Sequence, residues 1–216
     1  ADLGANVVLV EHPDGHPLRY LGPYPGGEMH IEKSGMFMYF CANKKSMVAD
    51  QNNDDRAAEI LELVKNADLV VQSAVVDAPY SNAWDWENLA TLNPSVVMTS
   101  ITHFGQYGPY RDWQSDEIVD YAMGGYMYFG GHRDREPLML TNNQAQLNAG
   151  AQAAVASLAA IWHARRTGKG QHIDVSTVEA LLSAHAWTTT SWTHEGVIQR
   201  RTEPDSIPCK DGYVWL

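Results

Sequence analysis

The stretch TNNQAQLNAGAQAA, Thr141–Ala154, carries amides at Asn142, Asn143, Gln144, Gln146 and Asn148 and then turns to alanine. A carboxamide donates and accepts hydrogen bonds but carries no charge and is a very poor nucleophile. These residues therefore suit helix capping, through Asn148 or Gln144, or the holding of a ligand, and not covalent attack. Asp116 and Glu117 open a predicted helix just before Gly124-Gly125. A carboxylate there complements the helix N-terminus, or serves as a general acid or base if apolar surroundings raise its pKa; the first is the simpler expectation. Lys44 and Lys45, in ANKKS, form a local basic pair suited to a phosphate or to plain solvation. FGQYGPY, Phe104–Tyr110, is a Gly-rich turn directly after a predicted buried strand, the position where open α/β sheets bind ligands, although an ordinary turn reads the same way. RRTGKGQHIDVS, Arg165–Ser176, has the cations and glycines of a phosphate loop. Its order is helix, loop, strand, which puts the loop at the wrong helix end for capture by N–H groups, so a tight connection is expected.

The elements that must position these groups alternate. NVVLV (Asn6–Val10) reads as a strand buried on both faces, and Ser46–Ala49 as a short strand. NNDDRAAEILELVKNAD reads as a helix capped by Asp54 or Asn53, with Ala57, Ile60, Leu61 and Val64 in one apolar stripe. DLVVQSAVV is the next strand, DWENLATLNP a helix stopped by Pro94, and SVVMTSI a buried strand. Strand–helix–strand–helix–strand predicts an α/β fold, a parallel sheet with helices on both faces. Farther on, Ser115 is the expected N-cap of SDEIVDYAMGGYMYF. Gly150–Arg166 is expected to be a closely packed, buried helix stopped by Gly168, and TVEALLSAHAWTTTSW a further helix.

A length of 216 residues with 44% hydrophobic and 19% charged side chains suits one soluble domain. The net charge of -11 disfavours a nucleic-acid partner, and there is neither a run of 18 apolar residues to span a membrane nor a signal-peptide pattern. Cys41 and Cys209 are far apart and are expected to be free thiols in a reducing cytoplasm. The scattered histidines offer no metal-ligand spacing, so no metal is expected. ADLGANVVLVE at one end and DGYVWL at the other read as a mid-helix start and a mid-strand finish, the pattern of a fragment of a longer protein.

Taken in order, ADLGANVVLVEHPDGHPLR, ANKKS, LNPSVVMTSITHFGQYGPY, the Gly124-Gly125 helix and RRTGKGQHIDVSTVEALL resemble the class III CoA-transferases, the family of formyl-CoA transferase, carnitine CoA-transferase and 2-methylacyl-CoA racemase. The resemblance covers essentially all 216 residues. It implies that residues 1–216 are the N-terminal part of a Rossmann-like large domain, truncated at both ends and lacking the small domain. It also implies CoA transfer between an acyl-CoA and a carboxylic acid, with CoA thioesters as substrates and no metal, in an interlocked dimer.

Residue by residue, the resemblance places Arg19 at the CoA nucleotide, with His16 where the family has Asp. It places Asn43, Lys44 and Lys45 near the CoA phosphates and adenine, and Glu117 near the thioester. The family nucleophile is an aspartate four residues before the glycine that opens the small-residue helix. Counting back from Gly150 gives Gln146, and residues 141–150 hold no aspartate. This module is thus expected to lack the usual nucleophile. The racemase variant is disfavoured as well, since Asp116 stands where that branch has its histidine. A wall of the CoA pocket also departs, with QSAVVDA (Gln72–Ala78) in place of the family's Asn-Phe stretch. Chemistry would then come from a tandem second module, another subunit or an unusual residue; the alternative is a non-catalytic CoA-binding or structural module.

Overall fold

The computed structural model describes residues 1–49, 54–73, 85–201 and 206–215. They group into two compact units, Ala1–Asn66 and Ala67–Leu216.

In the first unit, β1 (Val8–Glu11) pairs in parallel with β2 (Lys45–Val48), in register from Val8 opposite Lys45 to Glu11 opposite Val48. The long Pro/Gly connection folds into short 3-10 turns at Pro17–Tyr20 and Pro25–Gly27 and the helix α1 (Gly35–Phe40). Ser34 caps α1 by accepting from the N–H of Phe37 at 3.1 Å. Its own hydroxyl proton is shared between the carbonyls of Leu18 and Leu21, and this ties the loop to the helix start. Helix α2 (Asp54–Val64) buries Ile60 and Val64 and half-buries Leu61, the stripe expected from the 3.6-residue period. Asn53, the alternative cap, and the side chain of Ala57 lie outside the described residues.

The second unit is built on β3 (Leu69–Gln72), β4 (Val97–Thr102) and β5 (His172–Ser176), all parallel, with β4 in the centre. Among the described residues the predicted strands exist and pair in parallel within each unit, β1 with β2 in the first and β3, β4 and β5 in the second. Strand patterns show which segments are extended; pairing is a long-range choice that hydropathy does not encode.

Residues Val97–Ser100 of β4 are buried, and its two faces meet different helices. On one face lies α6 (Gln144–Thr167). Its small residues Ala149, Ala153, Ser157, Ala160 and Ala164 form a buried stripe against Val97, Ile101, Ile173 and Val175. Ser157 and Thr99 meet hydroxyl to hydroxyl at 2.7 Å, so a helix of small residues can lie close to the sheet. On the other face, Ser100 bonds Nε2 of His172 at 2.9 Å, and that ring stacks on Trp86 of α3 (Trp86–Leu92). Helices therefore cover both faces, as expected.

Three expectations need correction. Helix α6 starts at Gln144, six residues before the predicted Gly150, because Ala145 and Ala149 continue the buried stripe into the amide stretch. It is also not buried all round: the sheet covers one face, while Val155, Leu158 and Trp162 are exposed on the other. The helix expected over TVEALLSAHAWTTTSW is two, α7 (Thr177–Ala184) and α8 (Ala186–Glu195). The break falls at His185, whose Nε2 lies 2.8 Å from the carbonyl oxygen of Gly124 and whose ring packs on Tyr126. The chain then forms an antiparallel hairpin of β6 (Ser206–Cys209) and β7 (Gly212–Trp215). Among the described residues no helix is long and apolar enough to cross a membrane.

The RRTGKGQ segment is the tight connection expected. Gly168, at φ +71°, ends α6 with its N–H on the carbonyl of Ala164 at 2.8 Å. Gly170 donates to the carbonyl of Pro94 at 2.8 Å, and a β-carbon on it would lie 1.7 Å from the carbonyl oxygen of Val96. Gly170→Ala is therefore expected to cost about 2 kcal/mol or more through forced backbone movement. Gly150→Ala, where a β-carbon meets open space on α6, is expected to stabilise by about 0.5–1 kcal/mol. Urea denaturation of the two variants beside wild type checks both signs.

Candidate active site

The carboxyl end of β4 runs directly into the FGQYGPY turn. The turn is held on both sides: Thr102 Oγ1 accepts from the N–H of Gly105 at 2.9 Å, and Asp174 Oδ2 on β5 accepts from that of Gln106 at 2.8 Å. Gly105 and Gly108 have φ of +86° and +95°, so this turn needs its glycines. The rings of Phe104, Tyr110 and Trp113 pack together just beyond it.

Helix α4 (Glu117–Met123) brings three carboxyl groups to this end, and each points to a different partner. Asp116, and not the predicted Ser115, is the N-cap, accepting from the N–H groups of Ile118 and Val119. Ser115 instead donates to Asp120 Oδ1 at 2.7 Å. Asp120 is fully buried, and its other oxygen meets Nδ1 of His103 at 2.8 Å. The hydrogen bond to Asp120 raises the pKa of His103, against a lowering by burial.

Glu117 complements a helix N-terminus, as the simpler expectation had it, but the helix is α6. Asn143, the N-cap of α6, is left-handed at φ 52° and makes no side-chain cap. Glu117 Oε1 supplies the missing acceptor, taking the N–H of Ala145 at 2.7 Å. Its Oε2 is buried without a hydrogen-bond partner among the described residues. Burial raises the Glu117 pKa, the N–H groups of Ala145 and Gln146 oppose that, and the charge of Asp120 adds to it.

Gln146 sits in the first turn of α6, two residues after its start, with an exposed side chain whose Oε1 lies 3.4 Å from Asn143 Nδ2. The structure thus brings Glu117 and Gln146 together at the mouth of one helix. Asn148 does not cap; it accepts from Gln152 Nε2.

The other predicted binding residues belong to the first unit. Arg19 is engaged within its own fold: Nε and Nη2 donate to the two oxygens of Glu11 at 2.6 and 3.0 Å, and Nη1 to Glu32 Oε1 at 3.1 Å. Its guanidinium carbon lies 3.7 Å from the centroid of the Phe37 ring. The bond to Arg19 holds buried Glu11 at a pKa of about 2, with Ser46 and the N–H of His16 assisting. Burial raises the pKa of the Cys41 thiol and lowers that of the His16 imidazole, and half-buried Lys44 is close enough for its charge to push both downward. Asn43 is left-handed at φ 60° and donates to Asp2, and Lys45 stands exposed at the start of β2. Of QSAVVDA only Gln72 and Ser73 are described; Ala74–Ala78 lie outside the described residues. Both cysteines are free. No group of three His, Cys, Asp or Glu side chains among the described residues is arranged to hold a metal.

Sequence reasoning missed the His103–Asp120 pair. The two are 17 residues apart on different elements; a histidine directly after a buried strand was the only available signal.

The family model described as CoA-transferase family III matches residues 1–216. The chain is 33% identical over 221 residues to a succinyl-CoA:(R)-benzylsuccinate CoA-transferase subunit of Thauera aromatica, covering 100% of this chain and 54% of the relative. It is 31% identical over 225 residues to a probable CoA-transferase of Mycobacterium tuberculosis, covering 99% of this chain and 28% of that protein. Among solved structures, a CAIB/BAIF family protein from Brucella suis superposes with a TM-score of 0.86 at 29% identity, covering 98% of this chain and 58% of that one. The chain spans about half the length of most curated relatives it matches.

Two measurements check the electrostatics. The pKa of Glu11 is lowered in the fold, so its pairing contributes fully above its ordinary value of 4.5 and is lost as pH falls toward about 2. Glu11→Gln is expected to flatten acid unfolding in that window, and Arg19→Ala to cost about 3–5 kcal/mol by stranding a buried carboxylate. Glu117 has the opposite sign: its raised pKa favours folding below the ordinary value of 4.5, and that contribution is lost as pH rises through the folded pKa. Glu117→Gln keeps an acceptor for Ala145 without the charge and is expected to be no less stable than wild type at pH 7. Glu117→Ala is expected to lose about 1 kcal/mol with the cap. Thermal melts across pH decide both cases.

Proposed function

The chain belongs to CoA-transferase family III, and from that membership we propose that it is one module of an enzyme exchanging CoA between an acyl-CoA and a carboxylic acid. In the exchange, a carboxylate on the enzyme attacks the thioester carbonyl, the C–S bond breaks, and CoA leaves as the thiolate. The thiolate then attacks the enzyme's own carboxyl carbon in the mixed anhydride, releasing the first acid and leaving an enzyme–CoA thioester. The second acid attacks that thioester and departs with CoA after a second anhydride step. Splitting one exchange into covalent steps lowers each barrier.

The observation that carries the reading is Gln146 in the first turn of α6, beside Glu117. The N–H groups at that helix start and an anionic side chain would favour one another, but the residue here is a neutral amide. This module therefore binds or shapes the site, and the nucleophile comes from a second module or another subunit. Two comparisons support that division. One relative is by name a subunit. Another is long enough that the chain spans only 28% of it, against 54% of the first. In this reading Arg19, Asn43, Lys44 and Lys45 face the CoA nucleotide. Lys44 and Lys45 give the phosphates local cations in a chain of net charge -11.

The test uses the full-length protein with any subunit that co-purifies, mixed with acyl-CoA and trapped with hydroxylamine or borohydride. Wild type is expected to carry no acyl or CoA adduct within residues 1–216. Gln146→Asp is expected to acquire one there, with module-specific exchange rising by on the order of 10³-fold or more. An adduct trapped on the wild-type module would overturn the division of labour. Full-length protein that neither binds CoA nor exchanges it would overturn the reading altogether.

A further inference from the structure

His103 has no part in the exchange as written above, yet it stands where a ligand is expected. It directly follows β4, the central strand, at the carboxyl end where open parallel sheets bind small molecules. Its backbone is fixed, since its carbonyl accepts from the N–H of Val178 and from Ser176 Oγ. Its ring is fixed too: Nδ1 meets Asp120 Oδ2 at 2.8 Å, and Ser115 holds the other oxygen of Asp120 at 2.7 Å. The side chain of Asp120 has no exposed surface, while that of His103 is 38% exposed. The pair thus has a buried, anionic back and an open imidazole front. Nε2 has no hydrogen-bond partner among the described residues.

The charges bearing on the ring come from α4: Asp120, Asp116 and Glu117. Each is already engaged. Asp120 is bonded to the ring and Ser115, Asp116 caps its own helix, and Glu117 caps α6. On β5, Asp174 is turned to the N–H of Gln106. A buried carboxylate is best compensated by a cation that also donates a hydrogen bond to it. The imidazolium does both and then has one N–H left, facing outward. In a chain of net charge -11 a small anion is repelled at long range, so its capture requires such a local donor.

We propose that His103 anchors a carboxylate-binding subsite, its Nε2–H donating to an oxygen of a small carboxylic acid, with Asp120 and Ser115 as positioning residues. That this acid is the one exchanging CoA rests on the function proposed above; binding itself is measurable without turnover.

The test titrates full-length protein, labelled with 15N at histidine, with succinate, and with neutral succinamide at matched ionic strength. The His103 ring resonances are expected to shift saturably with succinate and not with succinamide. Bound succinate is expected to raise the pKa of His103, and succinate affinity to fall as pH rises through that pKa. His103→Gln is expected to weaken binding at least tenfold with the circular dichroism spectrum unchanged. Asp120→Asn is expected to lower the pKa of His103 and to move the affinity profile to lower pH. Unmoved His103 resonances, equal shifts with succinamide, or unchanged affinity in His103→Gln would each overturn the subsite. If CoA exchange is absent but succinate still binds through His103, the proposed function fails and the subsite stands.

Discussion

The hydrogen bond from the N–H of Ala145 to Glu117 Oε1, 2.7 Å long, joins the start of the longest helix to another element. Helix α6 begins on a left-handed asparagine that supplies no cap of its own. The first N–H groups of a helix have no partner inside it, and one side chain from α4 provides the acceptor. Gln146 takes its place from that contact, because it is the next residue in the turn that Glu117 ties down. The same contact leaves the second oxygen of Glu117 buried and unpaired among the described residues, which moves its pKa upward. Capping, placement of the amide and the altered acidity are one arrangement seen from three sides.

The two glutamates that matter most show how context sets acidity. Glu11 and Glu117 have the same side chain and the same ordinary pKa, yet they shift in opposite directions. Around Glu11, a guanidinium, a hydroxyl and an N–H outweigh burial. Around Glu117, burial outweighs two N–H donors. Charge-assisted partners decide which way an enclosed carboxyl goes.

The elements with strong local signals were legible from residues alone. The Val96–Met98 run that leads into β4, the Gly168 stop after Arg165 and Arg166, and the end of α3 before Pro94 each rest on short-range physics. What was illegible depends on distant partners. The amides of Asn143 and Gln144 look like a loop until Ala145 and Ala149 are seen to extend a buried stripe. Asp116 and Ser115 are both good caps, and the choice follows from Asp120 drawing Ser115 away. His103 gives no hint of Asp120, since the two lie 17 residues apart and meet only in the folded chain. Arg19 reads as a ligand contact by resemblance, whereas within its own unit Glu11 and Glu32 engage it first. The absence of an aspartate from residues 141–150, by contrast, is plain from residue type alone.

The carboxyl groups at the head of α4 impose a rule on chain length. Asp116 serves its own helix, Glu117 reaches α6, and Asp120 reaches the end of β4 through His103. Successive helical positions are separated by about 100° of rotation. Inserting or deleting one residue between Ser115 and Asp120 would swing the later carboxyl group away from its partner while the earlier ones stayed put. Homologous chains can exchange side chains in this segment more readily than they can change its length, and a gap placed here in an alignment would signal a different wiring of the sheet's carboxyl edge.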